Sequence, residues 1–221
     1  MVTFPADRSI MVITNYRTGS TALCDYIAKK TGLLNCDEVF HHSDAECYYD
    51  RVKDQAIVFK VMPDHRFQEQ WKTLASQCYI VGLQRQNIAE QIASLYITKQ
   101  GRTWHYVKEN VFQPNVLGNP NHSPFPVLMS NHMPAIKIDR LAVEDECRYI
   151  LEMYIKYNMY RRFFNTELTY ENIKDELAIS DYSVYPKPNN YQELIAVIKN
   201  LLIDVDNIAE LYKEYTSVPT R

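Results

Sequence analysis

Short apolar runs alternate with amphipathic stretches along the first hundred residues. Ser9–Thr14 (SIMVIT) is an unbroken apolar run bounded by turn residues, which predicts a strand buried on both faces. A polar loop, NYRTGS, follows over Asn15–Ser20. From Thr21 to Lys30, the residues Ala22, Leu23, Tyr26 and Ile27 recur at helical spacing, and Gly32 stands where a helix stop is expected. Ala56–Met62 (AIVFKVM) and Gln77–Leu83 (QCYIVGL) read as two further strands. The latter runs into Arg85 and a helix over Asn87–Thr98, with Ile88, Gln91, Ile92 and Leu95 on one side. Strands alternating with helices predict an α/β fold, a mainly parallel sheet flanked by helices.

The pattern then changes. Residues 101–135 hold Pro114, Pro120, Pro124, Pro126 and Pro134 among Asn and His, which predicts a long loop or lid. Asp139–Phe164 turns helical, with Leu141, Tyr149, Ile150, Met153, Tyr154 and Tyr157 as the core stripe. Leu168–Tyr170 is expected to be a final short strand, and 191–215 a helical C-terminal part. At 221 residues the whole, 1–221, is expected to be a single domain.

Charge and cysteine content narrow the function classes. The formal net charge is −3, and segment 191–215 carries all of it, with five acids (Glu193, Asp204, Asp206, Glu210, Glu214) against Lys199 and Lys213. The remainder is balanced, so no nucleic-acid partner is implied, and a local anion site is electrostatically tolerable. Five cysteines, at 24, 36, 47, 78 and 147, form no CxxC pair, which disfavours a zinc ribbon or a disulfide framework. The opening MVTFPADRSIMVIT has no signal-peptide pattern, and no run approaches the ~18 apolar residues of a membrane span. Reduced thiols and a cytoplasmic location are the expectation.

The first candidate chemistry is Arg17-Thr18-Gly19-Ser20-Thr21, set between strand and helix. A helix N-terminus offers unpaired amides and the positive end of the dipole. Gly19 permits close backbone approach, Ser20 and Thr21 add hydroxyls, and Arg17 adds a forked cation. Together they could form a phosphate- or sulfate-sized nest; the plainer account is a Ser/Thr helix cap with an incidental Arg. The Walker pattern GxxxxGK[ST] and the GxGxxG fingerprint are both absent. A second element is Arg85 after the third strand, with Ser94 nine residues on in the next helix. Either the two meet around a second phosphate, or they are a surface Arg and a helix-face Ser. In open α/β sheets a ligand with two separated phosphates would lie beyond the carboxyl ends of the strands.

These segments resemble the sulfotransferases that use 3′-phosphoadenosine 5′-phosphosulfate. Arg17–Thr21 resembles that family's 5′-phosphosulfate loop, and Arg85–Ser94, within LQRQNIAEQIASLY, its 3′-phosphate motif. Tyr170-Glu171, in LTYENI, is similar to the family's YE-x-L element. Gln91–Tyr96 (QIASLY) followed by Lys99–Trp104 (KQGRTW) is similar to the bacterial trehalose 2-sulfotransferase type and its small bacterial and phage relatives. The likeness covers about residues 9–105 and 140–173.

The resemblance implies a P-loop-like sulfotransferase fold and sulfuryl transfer from that nucleotide to an acceptor hydroxyl or amine. The product nucleotide would be 3′,5′-adenosine bisphosphate, and no metal is required. Arg17, Thr18, Gly19, Ser20, Thr21, Arg85 and Ser94 would bind the nucleotide, with Arg17 also stabilising charge on the transferring group. In the animal cytosolic branch a strand carries Lys and then His; here Lys60 matches, as a cation near the departing oxygen, but Met62 stands at the His position. In the trehalose type a Glu before an aromatic pair supplies the base, and Glu38 before Val39-Phe40 is the matching position, one residue early and without the family's Pro.

The catalytic set is thus Glu38, Lys60 and Arg17, with Asp37 or a nearby His as other bases. His41 and His42 are adjacent and without metal-ligand spacing; His65, His105, His122 and His132 are scattered, and Trp104 is a packing or stacking residue. The acceptor would be a small molecule or glycan chosen by 101–135 and 36–50. Two other classes fit parts of the pattern. A nucleotide-binding protein without catalysis would need Arg17, Arg85 and Ser94 but not Glu38 or Lys60. A small P-loop-like kinase would need a Lys before the Ser/Thr and carboxylates for Mg²⁺, and neither arrangement is present.

Overall fold

A computed structural model describes residues 2–40, 50, 53–65, 67, 70–101, 134–179 and 187–217. The expected lid therefore lies, from 102 to 133, outside the described residues, as do His41, His42, Cys47, Trp104, His105, His122 and His132.

Five strands, β1 (Ile10–Thr14), β2 (Leu34–Asp37), β3 (Ile57–Val61), β4 (Tyr79–Gln84) and β5 (Thr166–Thr169), form one sheet in the order β2-β3-β1-β4-β5. Every neighbouring pair is parallel. The fold is α/β with helices on both faces, which explains the unbroken apolar runs: alternate residues of one strand feed different cores. Ile10 and Val12 pack with Val58, Val81 and Leu83 beneath Leu23, Cys24 and Ile27 of α1 (Ser20–Thr31). Met11, Ile13, Phe59 and Val61 face the other way. They join α3 (Ile88–Gly101), α4 (Arg140–Tyr160), α6 (Tyr191–Asp204) and α7 (Asp206–Ser217) in the larger core.

The helix limits have local causes. Gly32 adopts φ 76° and donates its amide to the Ala28 carbonyl at 2.8 Å, closing α1. The Asp139 carboxylate accepts the Leu141 and Ala142 amides at 3.0 and 3.3 Å and so caps α4. Gly82 lies in the middle of β4 because a Cβ there would stand 2.2 Å from the Phe164 ring and 2.7 Å from the Tyr157 hydroxyl.

Several features differ from the sequence expectation. β2 and α2 (Trp71–Gln77) were not predicted. Leu141, placed in the core stripe, is 74% exposed, because α4 is only beginning there and its inward face starts at Val143. The C-terminal part is two helices, broken at Val205. A further short helix, α5 (Tyr170–Ile173), follows β5 directly. No helix among the described residues is long and apolar enough to cross a membrane.

The strand order positions a crevice. The chain leaves β1 towards β2 and β3, and leaves β4 towards β5, so connections diverge from two neighbouring strands. Loops at their carboxyl ends flank the place where α/β sheets receive ligands.

Burial pushes the Cys78 and Cys147 thiols from 9.0 up to about 12. Burial likewise pushes the Tyr191 and Tyr215 phenols from 10.0 up to about 12. The native state thus keeps protons that the unfolded chain gives up. Their stabilisation is complete below the unfolded values and is lost as pH climbs through the folded ones. The melting temperature is expected to fall continuously across that alkaline interval; a flat profile there would show these groups to be solvated.

Candidate functional site

The loop after β1 is held by buried polar groups. The Asn15 amide donates to the Ile150 carbonyl of α4 at 3.0 Å, and its Oδ1 accepts the Tyr16 amide at 2.7 Å. Gln91 of α3, fully buried, donates to the Tyr16 carbonyl at 2.6 Å and accepts the Tyr154 hydroxyl at 2.7 Å. The Thr18 hydroxyl donates to the Asn15 carbonyl at 3.0 Å and touches the Thr14 hydroxyl. Arg17 and Gly19 both take left-handed backbone, φ 59° and 84°. Gly19 is the cap of α1 and, having no side chain, makes no side-chain bond to the first-turn amides. The simple Ser/Thr cap is thus not what the loop forms. A loop with two left-handed residues leads into the twelve-residue helix without a side-chain cap from Gly19, at the carboxyl end of β1.

Arg85 enters from the other side. Its backbone amide donates to the Tyr154 hydroxyl at 3.0 Å, and its carbonyl accepts the Tyr215 hydroxyl at 3.3 Å. Its Nη1 donates to the Arg17 carbonyl at 3.3 Å, while Arg17 Nε donates to Ser94 Oγ at 3.1 Å. Arg17, Arg85 and Ser94, apart in sequence, therefore meet in a chain of contacts that runs from Arg85 through Arg17 to Ser94. Arg85 is also balanced: Nη2 lies 2.8 Å from Glu90, and Nε lies 3.9 Å from Glu171 with no hydrogen-bond acceptor among the described residues. Lys187, 3.7 Å from Glu90, adds a second cation at this end.

Tyr170 and Glu171 serve both loops. The Tyr170 ring lies 5.0 Å from the Arg85 guanidinium carbon and directly over Gly19. Glu171 accepts the Gln86 and Asn87 amides, both at 3.0 Å, just ahead of α3.

Lys60 ends up behind the loop. Its side chain is 1% exposed, and its ammonium contacts Thr21 Oγ1, Asp37 Oδ1 at 2.8 Å and Glu38 Oε1 at 3.1 Å. Burial alone would favour the neutral amine, but the two carboxylates prevail and hold the ammonium proton well above the usual lysine range. Cys24, buried alongside, has its thiol pushed far up by burial.

A feature not anticipated from the sequence lies at the opposite rim. Tyr149 donates to Asp64 Oδ2 at 2.8 Å, and Tyr16 approaches the same oxygen at 3.4 Å. Burial raises both phenols, so they stay neutral donors. The only signal in the sequence was a Pro-Asp turn after a strand. His65 is buried, and its Nδ1 accepts the Met62 amide at 3.2 Å. Among the described residues no group of three His, Cys, Asp or Glu is arranged to hold a metal ion.

No protein-family model matches the chain, and no curated protein sequence matches it.

Gly19 and Gly32 permit a controlled comparison. Both have left-handed backbone, but a Cβ at Gly32 meets nothing, whereas one at Gly19 would stand 2.7 Å from the Tyr170 ring. Gly32→Ala is expected to cost about 1–2 kcal/mol from backbone alone. Gly19→Ala should cost a further ~1–3 kcal/mol of overpacking, read from urea midpoints. Equal losses would mean that Tyr170 does not press on the loop.

Proposed function

We propose that this chain is a sulfotransferase that moves a sulfuryl group from 3′-phosphoadenosine 5′-phosphosulfate to an acceptor hydroxyl or amine. One observation carries the reading: Arg17 and Arg85, on loops from neighbouring strands, are in contact, and Arg17 links Arg85 to Ser94. The strand order, with an anion-capable loop following the central first strand, supports a P-loop-like identity.

The residues suit such a nucleotide. The first-turn α1 amides, Gly19 and the Ser20 and Thr21 hydroxyls would receive the 5′-phosphosulfate. Arg85 Nε, buried without an acceptor, and Ser94 would receive the 3′-phosphate. Arg17 stands between the two ends, where it can offset charge developing on the transferring group. Thr21 bridges the loop to Lys60, so the buried cation acts on the leaving side through that hydroxyl. Glu38 is the base for the acceptor proton. A protein that merely stored the nucleotide would have no use for a base beside the loop.

Binding of 3′,5′-adenosine bisphosphate is expected to raise the melting temperature, by about 2.7 kcal/mol of stabilisation at a hundred-fold excess over Kd. Adenosine 5′-monophosphate, lacking the 3′-phosphate, should do much less. Equal effects of the two would remove the 3′-phosphate site.

Arg85→Ala should lower bisphosphate affinity by about 1.5–3 kcal/mol, the value of a charge-assisted contact, as read by calorimetry. Unchanged affinity would take Arg85 out of the site.

A further inference from the structure

Successive side chains on a strand point to opposite faces. Asp37 and Glu38 are consecutive, yet both carboxylates reach the Lys60 ammonium, at 2.8 and 3.1 Å. The cause is Asp37, whose backbone is left-handed at φ 50°, with its amide bonded to Asn35 Oδ1 at 3.0 Å. The β2–β3 register shifts at the same point. A non-glycine residue in this region is uncommon and costs backbone energy, so the double approach is a built feature.

Burial is graded across the cluster. Side-chain exposure is 1% for Lys60, 8% for Asp37 and 15% for Glu38. An ammonium has three N–H donors, and three oxygens already lie on it: Thr21 Oγ1, Asp37 Oδ1 and Glu38 Oε1. Glu38, the outermost of the three, is the group placed to meet an acceptor.

We propose that Lys60 and Asp37 are positioning residues for Glu38: the ammonium fixes the carboxylate at the crevice, and Asp37 takes part of the ammonium's field so that Glu38 can still accept a proton. This rests on the sulfotransferase reading and gives its base a mechanism. The acceptor O–H bond breaks and its proton passes to Glu38. The acceptor oxygen bonds to sulfur, and the sulfur–oxygen bond to the 5′-phosphate breaks, its electron pair leaving with 3′,5′-adenosine bisphosphate. Other titratable groups face this cluster. Cys24 comes from α1, with Asp25 beside it, and Tyr16 from the loop after β1, itself beside Asp64.

The test uses opposite signs. Removing the cation (Lys60→Met) should move the Glu38 titration to higher pH, and removing the competing anion (Asp37→Asn) should move it to lower pH, each by about one unit or more. Asn tolerates left-handed backbone, so Asp37→Asn keeps the turn. The Glu38 carboxyl carbon is followed by NMR against pH in the full chain, which needs no turnover. The acidic limb of the kcat profile, measured with trehalose or 2-naphthol as acceptor, should follow the same two directions, with Glu38→Gln inactive.

Shifts in the same direction, or none, overturn the proposal. If Lys60→Met does not fold, Asp37→Asn decides alone: its titration must fall. Opposite NMR shifts without turnover on either acceptor, and without bisphosphate binding, would keep the coupled cluster and reject the sulfotransferase reading.

Discussion

The loop after β1 keeps its shape because the polar groups buried with it are bonded to one another and to neighbouring helices. Gln91 is the centre of that constraint. It is fully buried, donates to the Tyr16 carbonyl and accepts from Tyr154, whose oxygen in turn receives the Arg85 amide. One side chain on α3 thus ties the loop after β1 to the loop after β4. Buried polar groups are costly when unpaired, so a network of this kind admits few arrangements. Left-handed backbone at Arg17 and Gly19 is tolerable only because this network holds the chain on either side.

Charge is handled the same way at two places in the site: Arg85 and Lys60 are each matched by two carboxylates from other elements. Arg85 lies between Glu90 of α3 and Glu171 of α5, and Lys60 of β3 lies against Asp37 and Glu38 at the end of β2. An arrangement of this sort lets cations stay charged without solvent, and keeps the field local. An anion bound there, as proposed, would compete with carboxylates already present, and so would be selected by geometry more than by net charge.

Much of this could be read from residue order. The apolar runs at Ile10–Thr14, Ile57–Val61 and Tyr79–Gln84 are buried on both faces, and such strands declare themselves by composition alone. Gly32 marked a helix end by known cap chemistry, and the helical pattern began at Asp139, the residue that caps α4. β2 was hidden because it is four residues long, half-polar and irregular at Asp37. Leu141 misled because an apolar residue in the first turn can lie in register with a stripe yet precede the packing surface. In the site, Arg17, Arg85 and Ser94 were legible as types at particular spacings. That Arg17 would donate to Ser94, or that Asp64 would gather two tyrosines, depends on side chains brought together from distant segments. No local pattern encodes such meetings.

Tyr170 and Glu171 are neighbours in the chain, yet one rests on Gly19 and the other grips the amides of Gln86 and Asn87. Both grow from the end of the outermost strand on that side of the sheet. The two rims of the crevice are therefore hinged to a single pin. Any displacement of β5 would be transmitted to both at once, and neither rim can drift alone.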